Sequence, residues 1–518
     1  MLIRSLALAV LFFSSPSRAD ALRVGRITIN AGALFPHEQS DPSLFYRAAG
    51  LLHRQTPEGL LRRFLLFHEG EPFDAALLNE SERNLRALDF LESATITAGQ
   101  PHDGVIDVSV TTEDAFTTDA NGDFSNDGGQ SLYDLDITQK DILGRGGEVD
   151  LRIANLRERR TRSIELLDPA LFGAYWNGDL LLASSSDGNE EKFLIERPLF
   201  SYRNRYTLSA FVHHLLQDGR IYESGSVASL FQLQHRNATL AYGRVIGSTP
   251  RVSNRLIVGA DLIDDTFHEM QGPAPGDRRF RFLEAGLDAL AFDFIKLDHV
   301  DFGLREQDFN VGAHASMFAA VSPRTGSSRP AYRFRSDNSF GRAFGAHAFV
   351  ISRLMGTVRA RTANRNAIVS SDTRVVDRFG TSWPRTFVAR ARIDYGSDVD
   401  PDVQFFADGQ NGLRAYPNFA FSGPRRVVFN VEQRIFLGHE WLQLFEPGAA
   451  VFADSGEIWL RNQPFTFRRL RTDAGAGLRL GIARFESTML RLDVAYAFND
   501  SPISKRGIVV SFATSQAF

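Results

Sequence analysis

From Phe116 to Phe518 the chain carries no helical periodicity. Apolar and polar residues alternate instead with a period of two, in stretches of about ten residues separated by Gly, Asp, Asn and Pro clusters. Val427, Phe429 and Val431 point one way while Val428, Asn430, Glu432 and Arg434 point the other. Leu490, Leu492, Val494, Tyr496 and Phe498 oppose Arg491, Asp493, Ala495 and Ala497, and Ala476, Leu478, Leu480 and Ile482 oppose Gly475, Gly477, Arg479 and Gly481. A soluble sandwich and a membrane barrel both show this alternation, with the polar face toward solvent in the first and toward the lumen in the second. Alternation alone does not separate them. A strand region this long is too large for one sandwich and favours a barrel, which must close because lipid satisfies no strand edge. At roughly 25 residues for a strand and its loop, residues 115–518 hold about 16 antiparallel transmembrane strands.

The N-terminus carries an address. Met1–Ile3 with Arg4 is a short positive segment, Ser5–Phe13 is uncharged and apolar, and Ser17-Arg18-Ala19 places small residues for cleavage before Asp20. Residues 1–19 therefore read as a secretory signal peptide. No later stretch approaches the ~18 apolar residues of a membrane helix. With 58 basic and 62 acidic side chains the net charge is −4, which argues against a nucleic-acid partner. The absence of cysteine removes disulfides, Cys-ligated metals and thiol catalysis.

Residues 20–114 have a different texture. Ile27 and Ile29 alternate with polar neighbours as a short strand. Thr56-Pro57 starts a helix with Leu60, Leu61, Phe64, Leu65 and Phe67 on one stripe, stopped by Gly70 and Pro72. Asp74 caps a second helix in which Leu78, Leu85 and Leu88 share a face and Glu82 and Arg86 form an i,i+4 pair. Ser93–Ala98 and Val105–Thr112 follow as strands. The order β-α-α-β-β fits a small three-stranded sheet covered by two helices.

These residues resemble a known family. Phe64–Thr112, with Gly70-Glu71-Pro72-Phe73 and Glu80-Ser81-Glu82-Arg83-Asn84-Leu85-Arg86, resembles a POTRA (polypeptide-transport-associated) domain. The remainder resembles the bacterial surface antigen-type barrel of the BamA/TamA-like outer-membrane assembly and translocation superfamily. Asp141-Ile142-Leu143-Gly144-Arg145-Gly146 is similar to its first hairpin region, and Gly412-Leu413-Arg414-Ala415-Tyr416 to its inward-folded loop motif, R-G-F/Y. Asn430-Val431-Glu432 and Phe452-Ala453-Asp454-Ser455-Gly456 are similar to its N-x-E and F-x-D-x-G strand motifs. Ala415 departs from the pattern, standing where the family has Gly, and would be strained if that position needs φ > 0.

The resemblance implies a lock. Glu432 and Asp454 fall on lumen-facing phases, where the Arg414 guanidinium of an inward loop would bond them and stack on Phe452, while Gly456 admits the loop backbone and Tyr416 follows at its tip. The bland alternative is a set of ordinary solvated lumen charges. The final strand Gly507–Phe518 exposes Ile508, Val510 and Phe512 on one face, and Phe512 with the aromatic end, Phe518, resembles the family's C-terminal barrel-assembly signal. It would close against Thr117–Phe124, with nearby glycines weakening the seam.

No catalytic motif stands out: there is no G-x-S-x-G, H-E-x-x-H or G-x-x-x-x-G-K, His213-His214 point to opposite faces, and Glu190-Glu191 and Asp264-Asp265 read as solvated turn charges. The sequence reading is mainly β: a small α/β POTRA domain in the periplasm, then a 16-stranded barrel in the bacterial outer membrane. Its expected work is non-catalytic insertion or translocation of client polypeptides, which would add as a strand to the edge Ser93–Ala98. Partners are the lipid bilayer, clients and periplasmic or inner-membrane assembly proteins, with no metal or cofactor. The rivals are a two-partner-type secretion pore and a diffusion porin.

Overall fold

The computed structural model describes residues 22–32 and 55–514, apart from 128–129, 143, 157, 302–305, 325–328, 362–364, 440, 442–444 and 483–488. The leader at 1–19, Leu143 and Phe518 lie outside the described residues.

The N-terminal unit follows the order read from sequence: β1 (Arg23–Gly32), α1 (Glu58–Arg63), α2 (Ala75–Arg86), β2 (Leu91–Ala98) and β3 (Val105–Asp114). The sheet order is β1-β3-β2, with β1 parallel and β2 antiparallel to the central strand. Asp74 caps α2 by accepting the Ala76 N–H at 3.0 Å. The helices bury Leu60, Leu61, Leu77 and Leu85 against Val24, Val108 and Val110, forming one apolar core.

From Thr118 to Ala513 the chain closes into an antiparallel barrel of 20 strands, so the expected 16-stranded barrel is corrected. The reason is turn length. Allowing 25 residues for a strand and its loop overstates connections such as Ser186-Asp187, Ser224-Gly225 and Pro250-Arg251, which join strands through two residues each. Glu190-Glu191 and Asp264-Asp265, read as turn charges, also lie within strands, Gly188–Arg197 and Val252–Gln271. Glu190 meets His213 at 3.0 Å, and Asp265 meets His235 at 2.6 Å.

The alternation is a division between outside and inside. Leu240, Val451 and Leu478 are 56, 58 and 64% exposed on the outer face, whereas Glu432, Arg434 and Asp493 are fully buried inside. Among the described residues no helix is long and apolar enough to cross a membrane. Closure and an apolar outer face are the features with which strands cross one.

Two connections fold inward. Residues 398–424, between strands Arg385–Ser397 and Arg425–Phe436, enter from the end opposite the N-terminal unit. Residues 292–312 enter from the N-terminal unit's end as the hairpin Phe294–Leu297 with Gln307–Asn310, packing Ile295, Leu297 and Val300 on Phe349, Val376 and Val388.

The barrel closes between its first strand, Thr118–Asp127, and its last, Gly507–Ala513, and among the described residues one register pair joins them, Phe124 with Phe512. By contrast, the first strand makes ten register pairs with its other neighbour. Thr514 supplements the seam, its Oγ1 accepting the Gly122 N–H at 3.2 Å and its N–H donating to Asp123 at 3.0 Å.

Candidate functional site: a buried charge cluster joining two inward loops

Loop 398–424 is shaped before it reaches its target. Asp408 accepts the backbone N–H groups of Gln410, Asn411 and Phe419 at 3.2, 3.1 and 2.8 Å, folding the tip back on itself. Tyr222, on the far wall, stacks on Phe419 at 4.5 Å and accepts Ser422 Oγ on its carbonyl at 2.8 Å.

At the tip, Arg414 donates through Nε and Nη2 to the two oxygens of Asp454 at 2.7 and 3.0 Å, and through Nη1 to Glu432 Oε2 at 2.6 Å. Its guanidinium carbon lies 3.4 Å from the Phe452 ring centroid. Asn430 donates to both the Gly412 carbonyl and Asp454 at 2.7 Å. Tyr416 donates its hydroxyl to the Thr472 carbonyl at 2.9 Å. A Cβ at Gly456 would stand 3.4 Å from Leu413 and 2.9 Å from the Val427 carbonyl, so a bare backbone there leaves room for the loop. The structure thus places Arg414, Tyr416, Glu432, Phe452, Asp454 and Gly456 around one loop tip. Phe512 is elsewhere, at the seam, 6.0 Å from Phe124.

Ala415 carries no strain, because its φ is not positive. The positive values in this loop are at Asp398 (+49°), Gly412 (+103°) and Phe419 (+64°). The Ala415 N–H instead donates to Asp473 at 3.3 Å.

The cluster is larger than the motifs. Arg434 Nε donates to Glu432 Oε1 at 2.8 Å, and its Nη1 to the Val300 carbonyl of the second inward hairpin at 2.5 Å. Arg479 reaches Glu432 at 3.3 Å and Asp493 at 2.6 Å. The hairpin is further held by His299 on Glu446 at 2.6 Å and by Thr386 on the His299 carbonyl at 2.6 Å. Arg479 and Asp493 lie outside the motifs but carry a signal in the sequence: a lone Arg among inward glycines, beside an acid on the neighbouring inward face. The hairpin's role has no such signal.

The N-terminal unit is fastened to the same end of the barrel. Arg86 bonds Asp308 of the hairpin at 2.8 and 3.1 Å, and Glu80 accepts Ser201 Oγ at 2.7 Å and the Tyr202 N–H at 3.0 Å. Burial raises the Glu80 carboxyl above its ordinary value despite these bonds. Asn84 donates to Tyr175 at 3.1 Å and to the Phe200 carbonyl at 3.0 Å.

The edge expected to take a client strand is already engaged. On β2 the Ile96 N–H donates to Glu82 at 2.9 Å and the Ala94 carbonyl accepts Arg86 at 3.2 Å. The outer edge of β1 is engaged as well: Val24 donates to the Glu71 carbonyl and Ile27 to the Glu69 side chain.

Fold and site together define a membrane-spanning antiparallel β-barrel whose lumen receives a loop from each end. No protein-family model matches the chain, and no curated protein matches it. Among solved structures it is similar to CdiB from Acinetobacter baumannii (12% identity, 95% of this chain and 74% of that one, TM-score 0.47). It is also similar to BamA from Haemophilus ducreyi lacking POTRA domains 1-3 (12%, 96% and 84%, 0.41) and to CdiB from Escherichia coli (11%, 95% and 76%, 0.46).

Proposed function

We propose that this chain is an outer-membrane barrel that helps polypeptides insert into or cross that membrane, with its N-terminal unit acting as a POTRA-type domain in the periplasm. The observation that carries the reading is the contrast between a lumen held by buried ion pairs and a seam that, among the described residues, is joined by one register pair. A diffusion pore has no use for an inward loop pinned to its wall through Arg414 on Glu432 and Asp454. A barrel that opens sideways needs a rigid interior and one weak place in the wall, and strands that pair poorly are the weak place. A cavity of about 380 Å³ lies behind that seam, lined by Phe124, Phe512 and Val509 on the wall and by Tyr416 and Asn418 on the loop. The work proposed is non-catalytic: the barrel lowers the barrier to insertion, and the periplasmic unit brings the client.

The test is a quantitative outer-membrane proteome after deletion of the gene. Loss of several barrel proteins supports assembly and names the clients. An intact outer membrane with one missing secreted protein supports a dedicated two-partner-type pore instead. No change in either compartment overturns the reading.

A further inference from the structure

Both edges of the three-stranded sheet have backbone groups already engaged, so a polypeptide reaching the N-terminal unit meets side chains there as well as backbone. A cavity of about 470 Å³ opens where α2 faces the barrel rim, within the size range of ligand sites. Its floor is aromatic: Phe292 and Phe294 stack at 6.3 Å, and Phe200 lies against Tyr175 at 3.9 Å. Its acids are engaged or at the rim. Glu80 is held by Ser201 and Tyr202, Asp308 by Arg86, and Glu306 by Lys296 at 3.5 Å, while Asp89 lies exposed at the mouth.

Arg83 differs from all of these. Its guanidinium lies 4.6 Å from the Phe294 ring centroid, and it makes no hydrogen bond or ion pair with any described residue. Arg86, one turn along the same helix, spends its donors on Asp308, Glu82 and the Ala94 carbonyl. The cavity therefore presents one fork of N–H donors that makes no hydrogen bond, near the carboxylates of Glu80 and Asp308 and above an aromatic floor. That combination complements an anionic group joined to an aromatic body.

We propose that this cavity binds an extended polypeptide segment in which a carboxylate side chain neighbours an aromatic one, the carboxylate on Arg83 and the ring on Phe294 and Phe200. The inference rests on the reading that the chain handles polypeptides, and it replaces strand addition as the first contact. A polypeptide is preferred to a lipid because the aromatic floor of Phe292, Phe294 and Phe200 takes a ring placed beside the charge, and a phosphodiester headgroup carries no aromatic body.

The experiment uses the full chain in non-ionic detergent and a fluorescent, N-acetylated, C-amidated tetrapeptide with a Phe-Asp centre. Anisotropy is expected to show binding that weakens about tenfold or more when the peptide's Asp becomes Asn, the usual worth of a charge-assisted hydrogen bond. R83Q is expected to weaken the Asp peptide equally and to abolish the difference between the two peptides. F294A is expected to weaken both peptides. The Asp/Asn comparison on the wild-type chain keeps the test independent of how any variant folds. Equal binding of both peptides, or R83Q binding like wild type, overturns the proposal. Binding of dihexanoyl-phosphatidylglycerol that depends on Arg83, with no peptide binding, also overturns it and makes the cavity a headgroup site. Loss of outer-membrane proteins on deletion but full rescue by R83Q would leave the assembly reading standing and remove only this inference.

Discussion

Arg414 and Arg434 hold opposite oxygens of one buried carboxylate, Glu432 Oε2 and Oε1, although one arginine belongs to a loop entering from one end of the barrel and the other binds a hairpin entering from the other. Glu432 is thereby the junction of both inward elements. Taking three charges out of water is costly, and the cost is offset only while each stays paired.

Arg414→Ala leaves Glu432 and Asp454 short of a cation in the lumen, and breaking a buried pair costs about 3–5 kcal/mol. The folded barrel should convert to the unfolded band at a lower temperature in a heated-gel assay. Arg414→Lys should recover only part of the loss, because an ammonium cannot serve Asp454 with two parallel N–H groups. A midpoint equal to wild type for Arg414→Ala would remove the lock.

Sharing one carboxylate also predicts non-additivity. A cycle built from Arg414→Ala, Arg434→Ala and the double variant should show a coupling of about 0.5–3 kcal/mol. Additive effects would mean that the two loops are held independently.

Much of this is legible in the chain, for a physical reason. Period-two alternation places Asn430, Glu432 and Arg434 on one side of a strand, and these residues are all buried in the lumen. The order of elements in the N-terminal unit follows from Asp74, Pro57 and the apolar phases, although the expected Thr56 cap is not made: Pro57 is the N-cap of α1 and no side chain caps it. The strand number does not follow, because it depends on turn length and turns of two residues leave little mark. Nor does the hairpin at 294–310 announce itself. Its FIKL strand is four residues long, and two of its bonds to the barrel run through the backbone carbonyls of Val300 and His299, which any residue supplies. The engaged edge of β2 is hidden for a similar reason, since Glu82 and Arg86 read as a plain i,i+4 pair until tertiary contacts turn them onto the strand.

The loop tip needs its glycine three residues earlier than the family pattern suggests. Gly412 has φ +103°, and a Cβ there would come within 2.9 Å of Val428 and 3.2 Å of Asn430. Gly412→Ala should therefore destabilise the folded barrel by about 1–3 kcal/mol through backbone strain, with heat conversion again as the readout. Ala415→Gly, at an unstrained position, should cost less than about 1 kcal/mol. The reverse ranking would place the conformational requirement at 415.

The attachment of α2 is pH-dependent with a definite sign. Glu80 is raised above 4.5 chiefly by burial, so its protonated form is the one the docked state prefers. Its contribution to docking is fully present below pH 4.5 and is lost as pH rises through the higher folded value. Glu80→Gln keeps an acceptor for the Tyr202 N–H and a partner for Ser201 without the charge. The variant should resist proteolytic release of the N-terminal unit better than wild type at about pH 7.5 and equally at about pH 4. Weaker attachment at the higher pH would show that the charge itself holds the interface.

The seam supplies the most direct test of lateral opening. Phe124 and Phe512 are directly opposed in an antiparallel ladder, where Cα atoms lie about 4.5–5.5 Å apart, within the reach of a disulfide. The chain has no cysteine of its own, so Phe124→Cys with Phe512→Cys introduces one possible intramolecular bridge and no competing thiols. Neither side chain contributes to the Arg414 cluster, and each single variant serves as the reference that reports what loss of its ring costs assembly and function. The oxidised double variant should fold with an unchanged or raised heat-conversion temperature yet fail to complement a deletion strain. Reductant should restore function without changing the amount of folded protein. If the oxidised barrel complements fully, its work is done through the lumen and not through the seam, and a pore that passes its client outward becomes the better account of the same fold.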